Sequence, residues 1–191
     1  IGTKVALVSG QQARSGGRVV KNVAGFDLNK LYVGALGTLG VLVEVALKVL
    51  PLPERRSTLS ATFATLDGAA GAVRSVMRTD LLPCALELVC PRAAGRIAVT
   101  APLPGGGFLV LFRAEGFEET VRYQMDRVKD LFGREGAAEI APVDGPGETA
   151  VWEAVRAFRR TPDAARRSVL CKASVPITGV REMFAAGDAL Q

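Results

Sequence analysis

From Val41 to Leu50 the chain alternates, with Val41, Val43, Val45, Leu47 and Val49 on one side and Leu42, Glu44, Ala46, Lys48 and Leu50 on the other. β-Branched residues at period two, closed by Pro51, predict a strand. Directly before it, "GALGTLG" sets Gly34, Gly37 and Gly40 at three-residue intervals. A dinucleotide turn of the doubly wound fold needs G-x-G-x-x-G opening onto a helix, whose N-terminus receives the pyrophosphate. Here the spacing is G-x-x-G-x-x-G and the exit is a strand. That fold is excluded.

The approach to the loop is helical. Asp27 suits an N-cap, since its carboxylate can accept from free backbone N–H groups. Leu28, Leu31 and Tyr32 place apolar side chains at helical spacing, and Gly34 suits the helix end. Two readings of the loop stay open. It is a tight turn joining helix to strand, or a place where a ligand approaches the Thr38-Leu39 backbone because Gly37 and Gly40 carry no Cβ.

The rest of the chain bounds these readings. Its 191 residues, 49% of them hydrophobic, suffice for one sizeable core or two small ones. No apolar run is long enough to span a bilayer, and no signal-peptide pattern opens the chain. Three cysteines without C-x-x-C spacing point to a reducing compartment and away from iron–sulfur or zinc ligation within this stretch. Histidine is absent, so any step needing imidazole falls to another group or another polypeptide. Ile1 begins in strand-like sequence (Val5 to Val8) and Gln191 closes a helical pattern built on Val180, Met183 and Phe184, so the expectation is an internal stretch of a longer protein.

"LPLPERRS" (Leu50 to Ser57) marks a boundary, because two prolines and three charges cannot continue a central strand. Beyond it the patterns predict a strand at Thr58–Thr65 and a helix capped by Asp67 that runs to about Arg78. Further strands follow at Cys84–Cys90 and Gly107–Glu115, the second set off by "PLPGGG". A helix is predicted from Phe117 to Phe132, another around Trp152 to Phe158, and a last strand at Ser168–Val175. The order is close to the split βαβ arrangement of ferredoxin-like domains, with an antiparallel sheet carrying helices on one face. The predicted class is α+β.

The run "GGRVVKNVAGFDLNKLYVGALGTLGVLVEVALKVLPLPE" (Gly16 to Glu54) resembles the flavin-binding domain of the vanillyl-alcohol oxidase superfamily. Within it, the run is similar to the smaller FAD-binding subunits of bacterial glycolate oxidases. "LPCALEL", "FRAEG", "VWEAVRAF" and "KASVP" are similar to that family's C-terminal cap domain. The resemblance implies that residues 1–53 are the C-terminal part of an FAD-binding domain and 54–191 a cap domain incomplete at its end. It implies that Gly37, Thr38, Leu39, Gly40, Val41 and Leu42 present backbone to FAD. Asn22, Gly25 and Asp27 match a "KN-x-x-G-x-D" motif that fixes the preceding turn. Leu36 stands where the larger, catalytic subunit has glutamate, and Phe26 where tyrosine is usual; the first favours the small subunit.

The partners so implied are a larger catalytic flavin subunit, an iron–sulfur subunit and a small 2-hydroxy acid, with a cytoplasmic location peripheral to the inner membrane through the complex. No catalytic residue is assigned. Lys172, in "CKASVP", is read as lying on a cap strand, either as a carboxylate anchor or facing solvent. The formal charge of the chain is +5, and "RAFRRTPDAARR" (Arg156 to Arg167) concentrates five of its arginines, a solvated face or a docking face for a partner subunit. Nucleic-acid binding would want interleaved exposed aromatics, whereas Trp152 and Phe158 are spaced like a buried helix face. The functional expectation is an FAD-dependent oxidoreductase subunit relaying electrons. Its alternatives are a non-catalytic flavin-domain scaffold and a stand-alone D-lactate dehydrogenase-like enzyme.

Overall fold

The computed structural model describes residues 1–17, 25–98, 103–158 and 172–188, in two compact units, Ile1–Leu52 and Pro53–Gln191.

In the first unit β1 (Gly2–Ala6) lies between β2 (Gln12–Gly16) and β3 (Val41–Ala46), antiparallel to both. A bulge between Lys4 and Val5 shifts the β1–β3 register. β3 stops at Ala46, short of the predicted Leu50, because its last paired residue faces Gly2 and Leu47–Leu50 meet no partner strand. The helix before the glycine loop is a single turn, α1 (Asn29–Tyr32). β2 was not foreseen: "QARSG" is polar and its burial alternates between exposed and half-buried, so no apolar signal marks it.

The second unit holds a four-stranded antiparallel sheet of β4 (Arg55–Phe63), β5 (Ala85–Val89), β6 (Phe108–Gly116) and β7 (Glu139–Val143), in the order β5-β6-β4-β7. With α2 (Leu66–Met77) joining β4 to β5 and α4 (Glu118–Arg134) joining β6 to β7, this is the split βαβ topology. α2 begins at Leu66, and its cap is Thr65, whose Oγ1 accepts from Gly68 N at 3.2 Å. Asp67, predicted as the cap, instead sits in the first turn, where a carboxylate suits the helix dipole.

Helices cover both faces of the sheet, where one was expected. Leu59, Ala61, Phe63, Val110 and Phe112 pack against Val76 of α2 and Val121, Val128 and Phe132 of α4. The opposite face is covered by two helices, α3 (Pro91–Ala98) and α5 (Gly145–Phe158), which bring Ala94, Val151 and Trp152 onto Leu109 and Leu111. α3 was not predicted, although Pro91 at its first position is a start signal. β7 was hidden by Pro142, which an edge strand tolerates.

The second face also buries polar groups. Glu148 of α5 pairs with Arg113 of β6 at 2.7 Å, an electrostatic contact in which the Nε proton is not aimed along a hydrogen bond. Trp152 Nε1 donates to Thr58 Oγ1 at 2.8 Å, Thr58 Oγ1 donates to Glu148 at 3.4 Å, and the Arg113 guanidinium lies 5.4 Å from the Trp152 ring centre. A buried charge pair adds little net stability, but it penalises any other seating of α5.

Further along, residues 172–176 are coil and lead through a 3₁₀ turn (Ile177–Gly179) into α6 (Val180–Asp188). The predicted strand at Ser168–Val175 is therefore absent over 172–175, and 168–171 lie outside the described residues. The exposed segment Lys172–Val175 meets no sheet edge, and Pro176 lacks the N–H a continuing strand would use. Most of the arginine-rich run, 159–167, also lies outside the described residues.

Candidate functional site

The glycine loop connects α1 to β3 through a chain of short-range bonds. Val33 N donates to Asn29 O at 2.9 Å and Ala35 N to Tyr32 O at 3.2 Å. Thr38 donates twice to Ala35 O, from N at 3.0 Å and from Oγ1 at 2.7 Å. The N–H groups of Gly37 and Leu39 have no hydrogen-bond partner among the described residues. Three residues of the loop take left-handed backbone in near succession: Gly34 (φ 91°), Leu36 (φ 51°) and Gly37 (φ 81°).

The two flanking glycines turn out to serve different ends. A Cβ on Gly37 would meet nothing within 4 Å, so glycine is there for its dihedral and its outer side is open. A Cβ on Gly40 would stand 2.7 Å from Val5 Cγ1 and 2.8 Å from Ala6 O. The room beside Gly40 is therefore taken by β1, and close ligand approach, expected at both, is left to Gly37.

Leu36 carries an unusual combination. It is a leucine in the left-handed region, at a cost of about 1 kcal/mol or more, and 95% exposed. Leu39 is exposed as well, and so are Val41, Leu42, Val43 and Val45 of β3, where the bulge puts Leu42 on the same face as Val45 and Val41 on the opposite one. The loop and strand together present an apolar surface with two free amides at its rim.

The other predicted residues are dispersed. Gly25 is exposed with left-handed backbone (φ 73°), and a Cβ there would meet nothing within 4 Å, so glycine serves its dihedral. Asn22 lies outside the described residues. Asp27 caps from one position earlier than expected: the helix N-cap is Leu28, and Asp27 Oδ1 accepts from Asn29 N at 3.2 Å and Asn29 Nδ2 at 2.9 Å. Lys172 is exposed on coil in the second unit. A groove of about 410 Å³ on the first unit is lined by Lys4, Arg14, Ser15 and Glu44 with neighbouring glycine backbone, and includes none of residues 37–42. Its lysine is already paired, Lys4 Nζ to Glu44 Oε2 at 2.7 Å.

Residues 52–188 match the family of FAD linked oxidases, C-terminal domain. The chain belongs to this family. FAD is the family's cofactor, and its members are FAD-dependent oxidoreductases. The chain is 52% identical over 90 residues to glycolate oxidase subunit GlcE of Escherichia coli (47% of this chain, 25% of the relative). It is 32% identical over 143 residues to glycolate oxidase subunit GlcD of Bacillus subtilis (73% of this chain, 30% of the relative). It thus spans less than a third of the length of these relatives. The fold is similar to that of alkyldihydroxyacetonephosphate synthase, with a TM-score of 0.61 at 18% identity over 84% of this chain and 33% of that one. Among the described residues no helix is long and apolar enough to cross a membrane.

Sequence reasoning passed over Asn29 and Thr3. Asn29 is the buried residue of α1, while the apolar Leu28 and Leu31, on which the helix was read, are exposed. A polar side chain two positions after a capping aspartate was the available signal.

Proposed function

We propose that this chain forms one wall of an FAD site in a subunit of a glycolate oxidase-type 2-hydroxy-acid oxidoreductase. In this reading residues 1–53 are the C-terminal part of the flavin-binding domain and 54–191 the cap domain over the substrate. The observation that carries it is the loop: unpartnered amides at Gly37 and Leu39, an open side at Gly37, and exposed apolar residues running on into Val41 and Leu42. That surface fits a ligand with both hydrogen-bond acceptors and a flat apolar ring system. FAD, when bound, supplies the two-electron acceptor for oxidation of the substrate's carbinol carbon.

The chain's own groups then have distinct tasks. Gly37 and Leu39 hold the nucleotide through their backbone N–H groups, Thr38 and Gly40 fix the loop on Ala35 and β1, Val41 and Leu42 continue its apolar surface, and Asn22 and Gly25 shape the turn before α1. Lys172 offers an ammonium to the substrate carboxylate or faces solvent. The role within the complex is electron relay or support beside a larger catalytic flavin subunit and an iron–sulfur subunit, on the cytoplasmic side of the inner membrane. Two features favour relay over direct oxidation. The 191 residues include no histidine to act as a base near neutral pH, and Leu36 stands where the larger subunit has a carboxylate.

The test is made on the full-length protein loaded with FAD. Gly37→Asp should remove bound flavin, because a carboxylate enters where phosphate or flavin oxygens would sit. Anaerobic mixing of the wild type with glycolate or D-lactate, without partner subunits, should leave the flavin absorbance unbleached over seconds. Full flavin retention in Gly37→Asp would take the loop out of the site; rapid bleaching by either acid would make this the catalytic subunit.

A further inference from the structure

The loop that offers Gly37 and Leu39 is pinned at two places, and both are on β1. At its far end Gly40 lies directly against Val5 and Ala6, with no room for a Cβ. At its near end the anchor is Asn29, 8% exposed; the other buried residues among those described in this unit are Gly2, and Thr3 and Val5 on the same face of β1. Thr3 Oγ1 donates to Asn29 Oδ1 at 2.7 Å, and Asn29 Nδ2 donates to Ile1 O at 3.2 Å and to Asp27 Oδ1 at 2.9 Å. Gly16 of β2 is part of the same fit: a Cβ there would lie 2.9 Å from Asn29 Nδ2 and closer still to Ile1 O. The two middle residues of α1 contribute little to this seat. Lys30 and Leu31 are exposed, and Lys30 Nζ lies 3.9 Å from Asp27 Oδ2.

We propose that Asn29 is a positioning residue for the FAD-facing loop, with Thr3 and Asp27 orienting its amide. This rests on the reading of that loop as the flavin wall. Asn29 touches no cofactor itself. It fixes where α1 begins, and from its own carbonyl the bonds through Val33, Tyr32, Ala35 and Thr38 carry that position to Gly37 and Leu39. Three directed bonds on one buried amide define both its distance from β1 and its rotation, which an apolar contact of the same size would not. Without the anchor the loop keeps its far end on Val5 but loses the direction of its amides.

The experiment compares full-length Asn29→Asp, Thr3→Val, the exchange Asp27→Asn with Asn29→Asp, and Gly37→Asp, measuring the FAD dissociation constant, the visible circular dichroism of bound flavin, and the thermal midpoint of the flavin-free protein. Asn29→Asp, which sets two carboxylates together, should weaken FAD binding tenfold or more and alter the flavin dichroism. Thr3→Val should weaken it several-fold with an unchanged flavin-free midpoint. The exchange, which restores one donor and one acceptor between positions 27 and 29, should recover most of the loss. Should Asn29→Asp fail to fold, Thr3→Val decides. Wild-type affinity and dichroism in every folded variant at positions 3 and 29, with flavin lost in Gly37→Asp, would overturn the anchor while sparing the loop. Flavin retained in Gly37→Asp would overturn both.

Discussion

Gly37 and Gly40 are indistinguishable in the sequence, and their surroundings separate them. Gly37→Ala adds a methyl group in open space and costs only the left-handed backbone, about 1 kcal/mol. Gly40→Ala drives its Cβ against Ala6 O, a backbone atom that moves only with β1, and should cost clearly more, about 2–3 kcal/mol. Denaturant titration of the two full-length variants checks the order; equal losses would mean that β1 yields. Leu36→Asn should raise stability by up to about 1 kcal/mol, since asparagine tolerates the left-handed region that leucine resists. If Leu36 serves the flavin wall, the same change should weaken FAD binding. Residue identity showed that the loop was special. Its inner and outer sides depended on β1 lying beneath it, and no periodicity in the loop itself encodes that.

Among the elements, those with a clean period were legible. β3, β4, β5 and β6 announced themselves through alternation or unbroken apolar runs, and α4 through Val121, Met125, Val128 and Phe132. β2, α3 and β7 were not, since one is polar, one is short and one carries a proline. Missing α3 led directly to the expectation of a sheet bare on one side. α1 was found in the right place for an incomplete reason: Leu28 and Leu31 face outward, and the inward residue is an asparagine. A one-turn helix has too few residues for an apolar stripe to decide its orientation.

At the same scale, α6 is tied to α2 by Arg181 and Asp67, with Arg181 Nε donating to Asp67 Oδ1 at 2.7 Å. The hydrogen bond and charge of Arg181 hold the Asp67 carboxyl below its ordinary value. Because the folded value is lowered, the contribution is present above the unfolded aspartate range near pH 4 and is lost as pH falls through the folded value. Hydrogen exchange in residues 180–187 should therefore be slower in the wild type than in Arg181→Ala at pH 6, and the difference should vanish at the acid end. Both side chains are exposed, so the effect is small and should shrink in high salt.

For the whole molecule, the second unit carries the larger apolar core, and Phe132 is central to it, fully buried and edge-on to Phe63 at 6.0 Å between ring centres. Phe132→Ala should cost about 3–5 kcal/mol by chemical denaturation, far more than any loop substitution in the first unit. Among its described residues the first unit buries few side chains, Val5, Thr3 and Asn29, and many of its apolar residues are exposed. The sheet order has a further consequence, one of timing. β4 leads its unit out of the ribosome, yet its two partners are β6, which starts at Phe108, and β7, which starts at Glu139. At roughly 5–20 residues per second, β4 waits several seconds with both edges unpaired and its apolar face uncovered. The nascent chain is most exposed to aggregation in that interval, and a slower codon run just after β4 would lengthen it.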